Sequence, residues 1–338
     1  MKAARFHEHG GPDVLRYEDA PDPAPALRRA IVRVRACALN HLDLWQRRGL
    51  ERVRIPLPHI SGADVAGEIV DGGGAFAAGT RVMLHPGLSC GHCDACAKGR
   101  DNECPQYSVL GYMSDGGYAE LVSIPLENVI PIPEHVDFVS AAAFPLTFLT
   151  AWHMLLTRAR LEPGNTVLVL AGGSGVGQAA IQVARLHGAT VFATSGPSKM
   201  AATKALGASQ VFDHYADDFS KGVRSMTDGR GVDIVVEHVG EATWDRSVRA
   251  LASGGRLVTC GTTTGYRATL DLRHLFARQL SLLGSYMGRK SELLEAAPLF
   301  FSGRLKPAID VVLPLKGAAA AQERLEQAQQ FGKIVLEP

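Results

Sequence analysis

The sequence predicts an α/β protein in which an irregular, mostly antiparallel β domain is joined to a doubly wound parallel sheet. The first half contains short strand-like runs separated by Gly, Pro and charged residues: "RAIVRVRACAL", "DVAGEIV", "TRVMLHP" and "AELVSIP". From about Phe144 the runs become apolar and β-branched, and helical patterns such as "GVGQAAIQVARLHG" and "SKMAATKALGA" lie between them. Buried parallel strands that alternate with helices are typical of a doubly wound sheet. The tail "AIDVVLPLKGAAAAQERLEQAQQFGKIVLEP" predicts strand, helix, strand.

Length and charge narrow the class of function. A chain of 338 residues is long enough for two domains, and its net charge of +1 gives no electrostatic reason for a nucleic-acid or membrane-surface partner. The start, "MKAARFHEHGGPDV", has no apolar signal region, and no apolar run is long enough to span a bilayer. These features predict a soluble cytoplasmic protein that acts on a small-molecule substrate.

Four of the six cysteines lie within the stretch "CGHCDACAKGRDNEC". In a reducing compartment such clustering favours a metal site over a disulfide framework. Four thiolates at this spacing close a tetrahedron around Zn²⁺ and leave no open position, which predicts one structural zinc ion. Cys37 and Cys260, in apolar strand-like surroundings, are interpreted as small buried side chains. The predicted zinc ligands are Cys90, Cys93, Cys96 and Cys104.

A glycine-rich turn follows the first strand of the second half. The stretch "NTVLVLAGGSGVGQAAIQVARLHGATVFATSGPSK" is predicted to form strand, turn, helix and strand. Gly172, Gly175 and Gly177 would let the backbone approach a pyrophosphate at the helix N-terminus, where free N–H groups favour anions. Ser174 stands where the strict motif has its middle glycine, and it keeps the turn small. We interpret the turn as a dinucleotide site, the alternative being a tight strand–helix connection.

The end of the next strand indicates which dinucleotide binds. An NAD site has an acid about 20 residues after the glycines, whereas this chain has Thr194 there and no carboxylate nearby. Ser195, Ser198 and Lys199 can instead bind a 2′-phosphate, which predicts NADP(H), although an ordinary solvated turn is the alternative. Tyr215 is a candidate for stacking near the adenine, and a surface turn explains it equally well. The set of cofactor residues is completed by Val176, Gly240, Cys260 and Gly261.

The order of these parts resembles the medium-chain dehydrogenase/reductase superfamily over essentially the whole chain. The landmarks are "GPDVLRYEDAPDPAP", "VRACALNHLDLWQRRG", "PHISGADVAGEIV", the cysteine run, "DGGYAELVSIP", "AGGSGVGQAAIQVA" and "GRLVTCGTTTG". The resemblance implies a GroES-like catalytic domain formed by residues 1–146 and 287–338, with the zinc lobe at about 88–106. It also implies a Rossmann domain at 147–286, an active site between the domains, and a homodimer or homotetramer.

The zinc branch of this superfamily also holds a catalytic zinc, which needs three protein ligands and one open position. At the three places where that branch has its ligands, this chain has Asn40, the pair Ala63-Asp64, and about Leu146. None of these three positions holds a strong zinc ligand, so we expect no catalytic zinc. A rearranged site remains the alternative, built from Asp64 with other polar residues nearby in sequence: His41, Asp43, His59 and His85.

Asn40 resembles the zinc-independent quinone oxidoreductase and enoyl reductase branches. The resemblance implies an NADPH-dependent reductase of enones, quinones or enoyl thioesters, with Asn40, His41 and Asp64 as the catalytic residues. Asn40 and His41 are candidate donors to an enolate oxygen; the alternatives are a helix cap for Asn40 and a surface position for His41. Some enoyl-reducing relatives carry a proton-donating tyrosine near the position of Glu51. The alternatives are a zinc alcohol dehydrogenase with unusual ligands and a protein that binds NADPH without turnover.

Overall fold

The computed structural model describes residues 1–50 and 53–338, and the chain divides into two compact units. The first unit comprises Met1–Leu146 and Arg289–Pro338, and the second comprises Thr147–Gly288. Among the described residues, no helix combines the length and the apolar character that a membrane crossing requires.

The first unit is built on a seven-stranded sheet. Up to residue 131 its strands are β1 (Lys2–Arg5), β2 (Arg16–Asp19), β3 (Arg29–Ala38), β4 (Asp64–Asp71), β5 (Arg81–Leu84), β6 (Gly87–Leu88), β7 (Ser108–Val109), β8 (Leu121–Pro125) and β9 (Val129–Pro131). The helices up to residue 143 are α1 (His41–Arg48), α2 (Asp94–Ala97) and α3 (Phe138–Ala143). Next comes α4 (Pro145–Trp152), which continues as a π-helical segment at His153–Arg158.

The second unit contains strands β10 (Thr166–Val169), β11 (Thr190–Ser195), β12 (Gln210–Asp213), β13 (Val232–Glu237), β14 (Leu251–Thr259) and β15 (Ser281–Gly284). Its helices are α5 (Gly175–Leu186), α6 (Met200–Ala205), α7 (Phe219–Met226), α8 (Trp244–Ala250) and α9 (Leu272–Ala277). The chain then returns to the first unit through α10 (Lys290–Phe301), β16 (Ile309–Pro314), α11 (Ala318–Glu326) and β17 (Lys333–Glu337). The strand–helix–strand prediction for the tail is therefore confirmed.

The long strand β3 shows how the pattern of residues sets the first sheet. Arg33 and Arg35 face solvent, and the side chains between and beside them are buried. This period of two places one face of the strand on the core. The sheet runs β16–β17–β3–β4–β5–β9, with β8 also paired to β3. All of its pairs are antiparallel except β16 with β17, which confirms the mostly antiparallel β domain.

The second unit is a six-stranded parallel sheet in the order β12–β11–β10–β13–β14–β15. The strand order reverses at β10: the chain adds β11 and β12 on one side of β10, and then β13, β14 and β15 on its other side. In open parallel sheets ligands bind outside the carboxyl ends of the strands at such a reversal. The prediction of a doubly wound, Rossmann-like sheet is confirmed, and the reversal places a binding edge after β10, β11 and β13.

Candidate functional site

The four cysteines of the lobe converge on one point. Their sulfur atoms all lie within 4.8 Å of one another, with Cys90 Sγ 3.6 Å from Cys104 Sγ and 4.0 Å from Cys96 Sγ. A tetrahedron of Zn–S bonds of about 2.3 Å requires sulfur separations of about 3.8 Å. The spacing therefore fits a closed zinc site with four thiolate ligands.

Backbone N–H groups of the lobe point at two of the sulfur atoms. The amide of Cys93 lies 3.4 Å from Cys90 Sγ, and the amide of Gln106 lies 3.4 Å from Cys104 Sγ. Hydrogen bonds from the backbone of His92 and Cys93 lower the pKa of Cys90 to about 6. A zinc ion bound here would hold the loop through all four thiolates and leave no position for substrate.

The lobe also fixes the start of the helix by which the chain re-enters the first unit. The Asp101 carboxylate accepts hydrogen bonds from the backbone N–H of Lys290, at 3.1 and 3.2 Å. This amide is one of the unsatisfied donors at the N-terminus of α10, where a carboxylate is favourable. The geometry therefore links the folding of the lobe to the placement of α10.

The glycine turn between β10 and α5 is held tightly in the second unit. Ser174 caps the helix, since its Oγ accepts a hydrogen bond of 2.9 Å from the backbone N–H of Gly177. A Cβ at Gly172 would lie 2.7 Å from the Thr203 side chain, and one at Gly177 would strike the carbonyl of Ala171. Small residues are required here because the turn, helix and neighbouring strand approach so closely.

Thr194, predicted to take the place of the NAD-specific acid, faces inward. It is fully buried, and its Oγ1 accepts a 3.0 Å hydrogen bond from the backbone N–H of Ala171. Its carbonyl also accepts from the N–H of Gly172 at 2.7 Å. Thr194 therefore supports the glycine turn from behind.

The other residues predicted for the 2′-phosphate lie just beyond β11. Ser195 is buried, whereas Ser198 is exposed and Lys199 is half-buried. Tyr215 is 79% exposed, and its ring meets the His214 ring edge-on next to Gly196. Ser198, Lys199 and Tyr215 thus follow the carboxyl ends of β11 and β12, at the same edge of the sheet as the glycine turn.

Strand β13 ends in a carboxylate that sequence reasoning missed. Glu237 is fully buried and accepts hydrogen bonds from the backbone N–H of Val239 (2.7 Å) and Gly240 (3.1 Å). The hydroxyls of Thr243 and Ser247 also donate to it, at 3.0 and 2.6 Å. These donors compensate the buried charge and fix the loop that carries Gly240.

The remaining residues predicted to bind the cofactor lie at the same edge. Gly240 has φ +99°, and a Cβ there would approach the Gly265 carbonyl at 2.5 Å. Cys260 and Gly261 directly follow β14, and Val176 lies in the first turn of α5. Cys37 is fully buried as expected, but Cys260 is only half-buried because it lies in the loop after the strand.

The first unit brings Asn40 and Asp64 together around an ammonium group. Lys333, at the first position of β17, donates hydrogen bonds to Asn40 Oδ1 (2.7 Å) and Asp64 Oδ2 (2.9 Å). Asn40 Nδ2 also donates to Asp64 Oδ2 at 2.9 Å. The side chain of Lys333 is 2% exposed and that of Asp64 is fully buried, so the two charges form a buried ion pair.

These contacts use the groups that a catalytic metal would need. The second oxygen of Asp64 accepts a 2.8 Å hydrogen bond from the backbone N–H of Leu146. Both oxygens of Asp64 are therefore occupied, and one of them binds a cation already. In the part of the chain that the structure describes, the only group of three or more His, Cys, Asp or Glu side chains placed to hold a metal is the four-cysteine cluster.

The side chains proposed for a rearranged zinc site serve other contacts. His59 Nε2 lies 2.8 Å from the carbonyl of Gly111, and His85 Nδ1 lies 3.2 Å from Asn128 Nδ2. Burial lowers the pKa of His85 to about 4. His59 and His85 therefore do not join Asp64 in a ligand set.

Asn40 occupies the N-cap position of α1, and its side-chain amide contacts Asp64 and Lys333. The Asp43 carboxylate accepts from the backbone N–H of Asn40 at 2.8 Å and from the Tyr118 hydroxyl at 3.0 Å. Burial raises the pKa of Asp43 to about 6 despite these two hydrogen bonds. Asp43 thus orients the turn that presents Asn40 to Lys333.

His41 begins α1 and is half-buried, with its ring centroid 6.5 Å from that of Trp45. Its predicted role as a donor or proton relay stays a prediction. Glu51, noted at the place of a proton-donating tyrosine, lies outside the described residues.

Two family models match this chain. Residues 27–134 match the family described as alcohol dehydrogenase GroES-like domain, and residues 175–302 match the family described as zinc-binding dehydrogenase. A quinone oxidoreductase of Rattus norvegicus is 30% identical over 99% of this chain and 97% of its own length. An NAD-dependent alcohol dehydrogenase of Sulfolobus acidocaldarius is 31% identical over 99% of both chains.

A solved structure described as an NAD-dependent alcohol dehydrogenase superposes with a TM-score of 0.97, at 45% identity and with full coverage of both chains. The chain therefore belongs to the medium-chain dehydrogenase/reductase superfamily and is an oxidoreductase of that family. Its relatives include both quinone oxidoreductases and alcohol dehydrogenases, so family membership alone leaves the substrate open.

The buried ion pair predicts an asymmetric response to substitution. Lys333→Met leaves the Asp64 carboxylate buried without its cation, which is expected to lower the free energy of unfolding by about 3–5 kcal/mol. Urea denaturation followed by circular dichroism measures this loss. The exposed Lys316→Met is the matched control and should change it by less than about 0.5 kcal/mol.

The double variant Lys333→Met with Asp64→Asn removes both charges and should recover at least about half of the loss. Equal stability of Lys333→Met and Lys316→Met would contradict the buried pair.

Proposed function

We propose that the protein is an NADPH-dependent reductase that transfers hydride to a C=C bond conjugated to a carbonyl, without a catalytic zinc. The substrates are enones, quinones or enoyl thioesters. The rival is a zinc-dependent alcohol dehydrogenase with unusual ligands; two of the similar proteins are described as NAD-dependent alcohol dehydrogenases.

One observation carries the proposal: Lys333 binds the polar side chains that stand where the zinc branch has metal ligands. Its ammonium contacts Asn40 Oδ1 and Asp64 Oδ2, and Leu146 contributes only its backbone to Asp64. A metal ion at this point would be repelled by the ammonium charge of Lys333. It would also lack the set of three protein ligands that a catalytic zinc requires. Oxidation of a simple alcohol would then lack the Lewis acid that stabilises its alkoxide.

Reduction of a conjugated C=C bond makes a smaller demand on the protein. NADPH supplies hydride to the β carbon, and the electron pair of the C=C bond moves to the carbonyl oxygen as an enolate. Two of the three ammonium protons of Lys333 have acceptors among the described residues, which leaves the third for the enolate oxygen. Fixed donors of this kind stabilise developing charge without reorganisation. His41 is the candidate for returning a proton to the α carbon.

The arrangement around Asn40 refines the sequence hypothesis for that residue. Its Nδ2 donates to Asp64, and its Oδ1 accepts from Lys333. We therefore assign to Asn40 the positioning of Lys333, and to Lys333 the contact with the substrate oxygen.

The choice of NADPH rests on the residues that follow β11. Thr194 is turned inward, and the loop from Gly196 to Lys199 has no carboxylate to accept from a ribose 2′-hydroxyl. Ser198 and Lys199 supply a hydroxyl and a cation at this edge, and both suit a 2′-phosphate.

The activity is tested with NADPH and three acceptors: 1,4-benzoquinone, cyclohexenone and crotonyl-CoA. Oxidation of NADPH by at least one acceptor is expected, at a rate unchanged by a chelator that leaves the cysteine-bound zinc in place. The same preparation should oxidise simple alcohols with a kcat/KM at least about 100-fold lower, which is the size of a lost transition-state contact. Alcohol oxidation that depends on a second zinc per subunit would overturn the proposal, as would tight NADPH binding without turnover of any acceptor.

Cofactor preference has its own test. Lys199→Ala should raise KM for NADPH about tenfold or more, since a charge-assisted contact to the 2′-phosphate is lost, and leave KM for NADH unchanged. Lys204→Ala, an exposed lysine on α6, is the control. A wild-type protein with a higher kcat/KM for NADH than for NADPH would contradict the NADPH assignment.

A further inference from the structure

A cavity of 510 Å³ lies in the second unit, at the edge of the sheet opposite the predicted cofactor loops. Its lining comes from three parts of the chain. These are the residues that precede β13 (Arg224, Gly229 and Arg230), those near the start of β14 (Ala252 and Ser253) and those that precede β15 (His274 and Arg278). The carboxyl ends of β13 and β14 carry Gly240 and Gly261 instead. Since the two ends of a parallel strand are on opposite edges of the sheet, this cavity is separate from the dinucleotide site.

Two arginines of the cavity have no acidic partner. Arg224, on α7, donates to the carbonyl of Gly229 through Nη1 (2.6 Å), to that of Arg249 through Nε and Nη2 (3.2 and 2.9 Å), and to that of Leu251 through Nη2 (3.4 Å). Among the described residues, one N–H of Nη1 therefore remains for an anion. Arg278, just after α9, donates to the carbonyl of Leu251 and lies 2.9 Å from His274 Nε2. In the described part of the chain, neither guanidinium forms an ion pair.

The charge of Arg224 acts on Arg278 and on His274. Burial lowers the pKa of Arg278, and the charge of Arg224 lowers it further. Burial also lowers the pKa of His274, and both arginines add to that effect. A neutral His274 accepts from Arg278 through Nε2 and then carries its proton on Nδ1, where it is a further donor.

The two acids whose charges act on His274 are each paired with another cation. Asp271 pairs with Arg273 at 2.9 Å, and Asp245 pairs with Arg249 at 2.7 Å. Within the cavity lining, Arg230 pairs with Asp233 at 2.6 Å. The cavity therefore keeps the positive charge of Arg224 and Arg278, together with the exposed hydroxyl of Ser253.

We propose that this cavity is a second anion site, which binds the phosphate group of a small phosphorylated molecule. Guanidinium groups present paired donors that match phosphate oxygens, and they are less strongly hydrated than an ammonium group. The volume is within the range of about 300–1,000 Å³ found for small-molecule sites. A bound phosphate would compensate the two arginine charges and connect α7, the start of β14 and the end of α9.

The test is a titration of the full-length protein with inorganic pyrophosphate in the presence of saturating NADPH, so that the dinucleotide site is already filled. Binding is followed by the rise in Tm and by calorimetry, against sodium chloride at matched ionic strength. Ligand that binds only the folded state raises Tm in a saturable manner. Saturable binding at one site beyond NADPH is expected. Its absence, or a rise equal to that in sodium chloride, would overturn the proposal.

Three variants assign the binding to the cavity. Arg278→Gln should weaken pyrophosphate binding at least about tenfold, since one charged donor is lost. Lys204→Gln, which removes a positive charge from the exposed side of α6 outside the cavity lining, should bind as the wild type does. Ser253→Glu keeps the arginine contacts and places a carboxylate in the cavity, so it should abolish binding even if Arg278→Gln folds poorly. Wild-type affinity in Ser253→Glu would place the anion elsewhere and refute the assignment.

Discussion

The buried ion pair between Lys333 and Asp64 is the constraint on which the first unit and its candidate site depend. A carboxylate without solvent contact requires a compensating cation and hydrogen bonds, and Lys333 and the Leu146 amide supply them. Lys333 is the first residue of β17 and Asp64 is the first residue of β4, so the pair joins the C-terminal part of the chain to the first sheet. The contact lies beside Asn40, in the turn between β3 and α1. The same contacts that stabilise the fold occupy the groups that a metal would bind.

The cysteine lobe and the position of Asn40 and Asp64, where the zinc branch of the superfamily holds its two metal ions, thus differ in this chain. The cysteine lobe keeps four converging thiolates and holds the start of α10 through Asp101, so its zinc contributes to stability. At the other position the ammonium group of Lys333 contacts Asn40 and Asp64, and in our proposal it takes the place of the doubly charged ion. A lysine is a weaker electrophile than zinc, but it can donate a hydrogen bond to an enolate oxygen. For this reason we assign a structural role to the zinc lobe and a catalytic role to Lys333.

Features coded by neighbouring residues could be predicted from the sequence, and features that depend on distant contacts could not. The strand pattern of β3, the four-cysteine spacing and the glycine turn before α5 are local, and each has the predicted form. The Lys333–Asp64 pair joins residues 269 positions apart, so no window of sequence contains it. Its only local signal is a lysine beside the apolar run "IVL" of β17. The inward turn of Thr194 was also missed, because strand alternation alone does not fix the partner of a buried hydroxyl.

X-ray absorption at the zinc edge of the purified protein tests the central claim most directly, because it reports the ligands of all bound zinc together. If zinc occupies only the cysteine lobe, the spectrum will fit a single shell of four sulfur atoms at about 2.3 Å. A second zinc near Asp64 would lower the mean number of sulfur ligands and add nitrogen or oxygen ligands at about 2.0–2.1 Å. That result would contradict the account of Lys333 as the cation of the site.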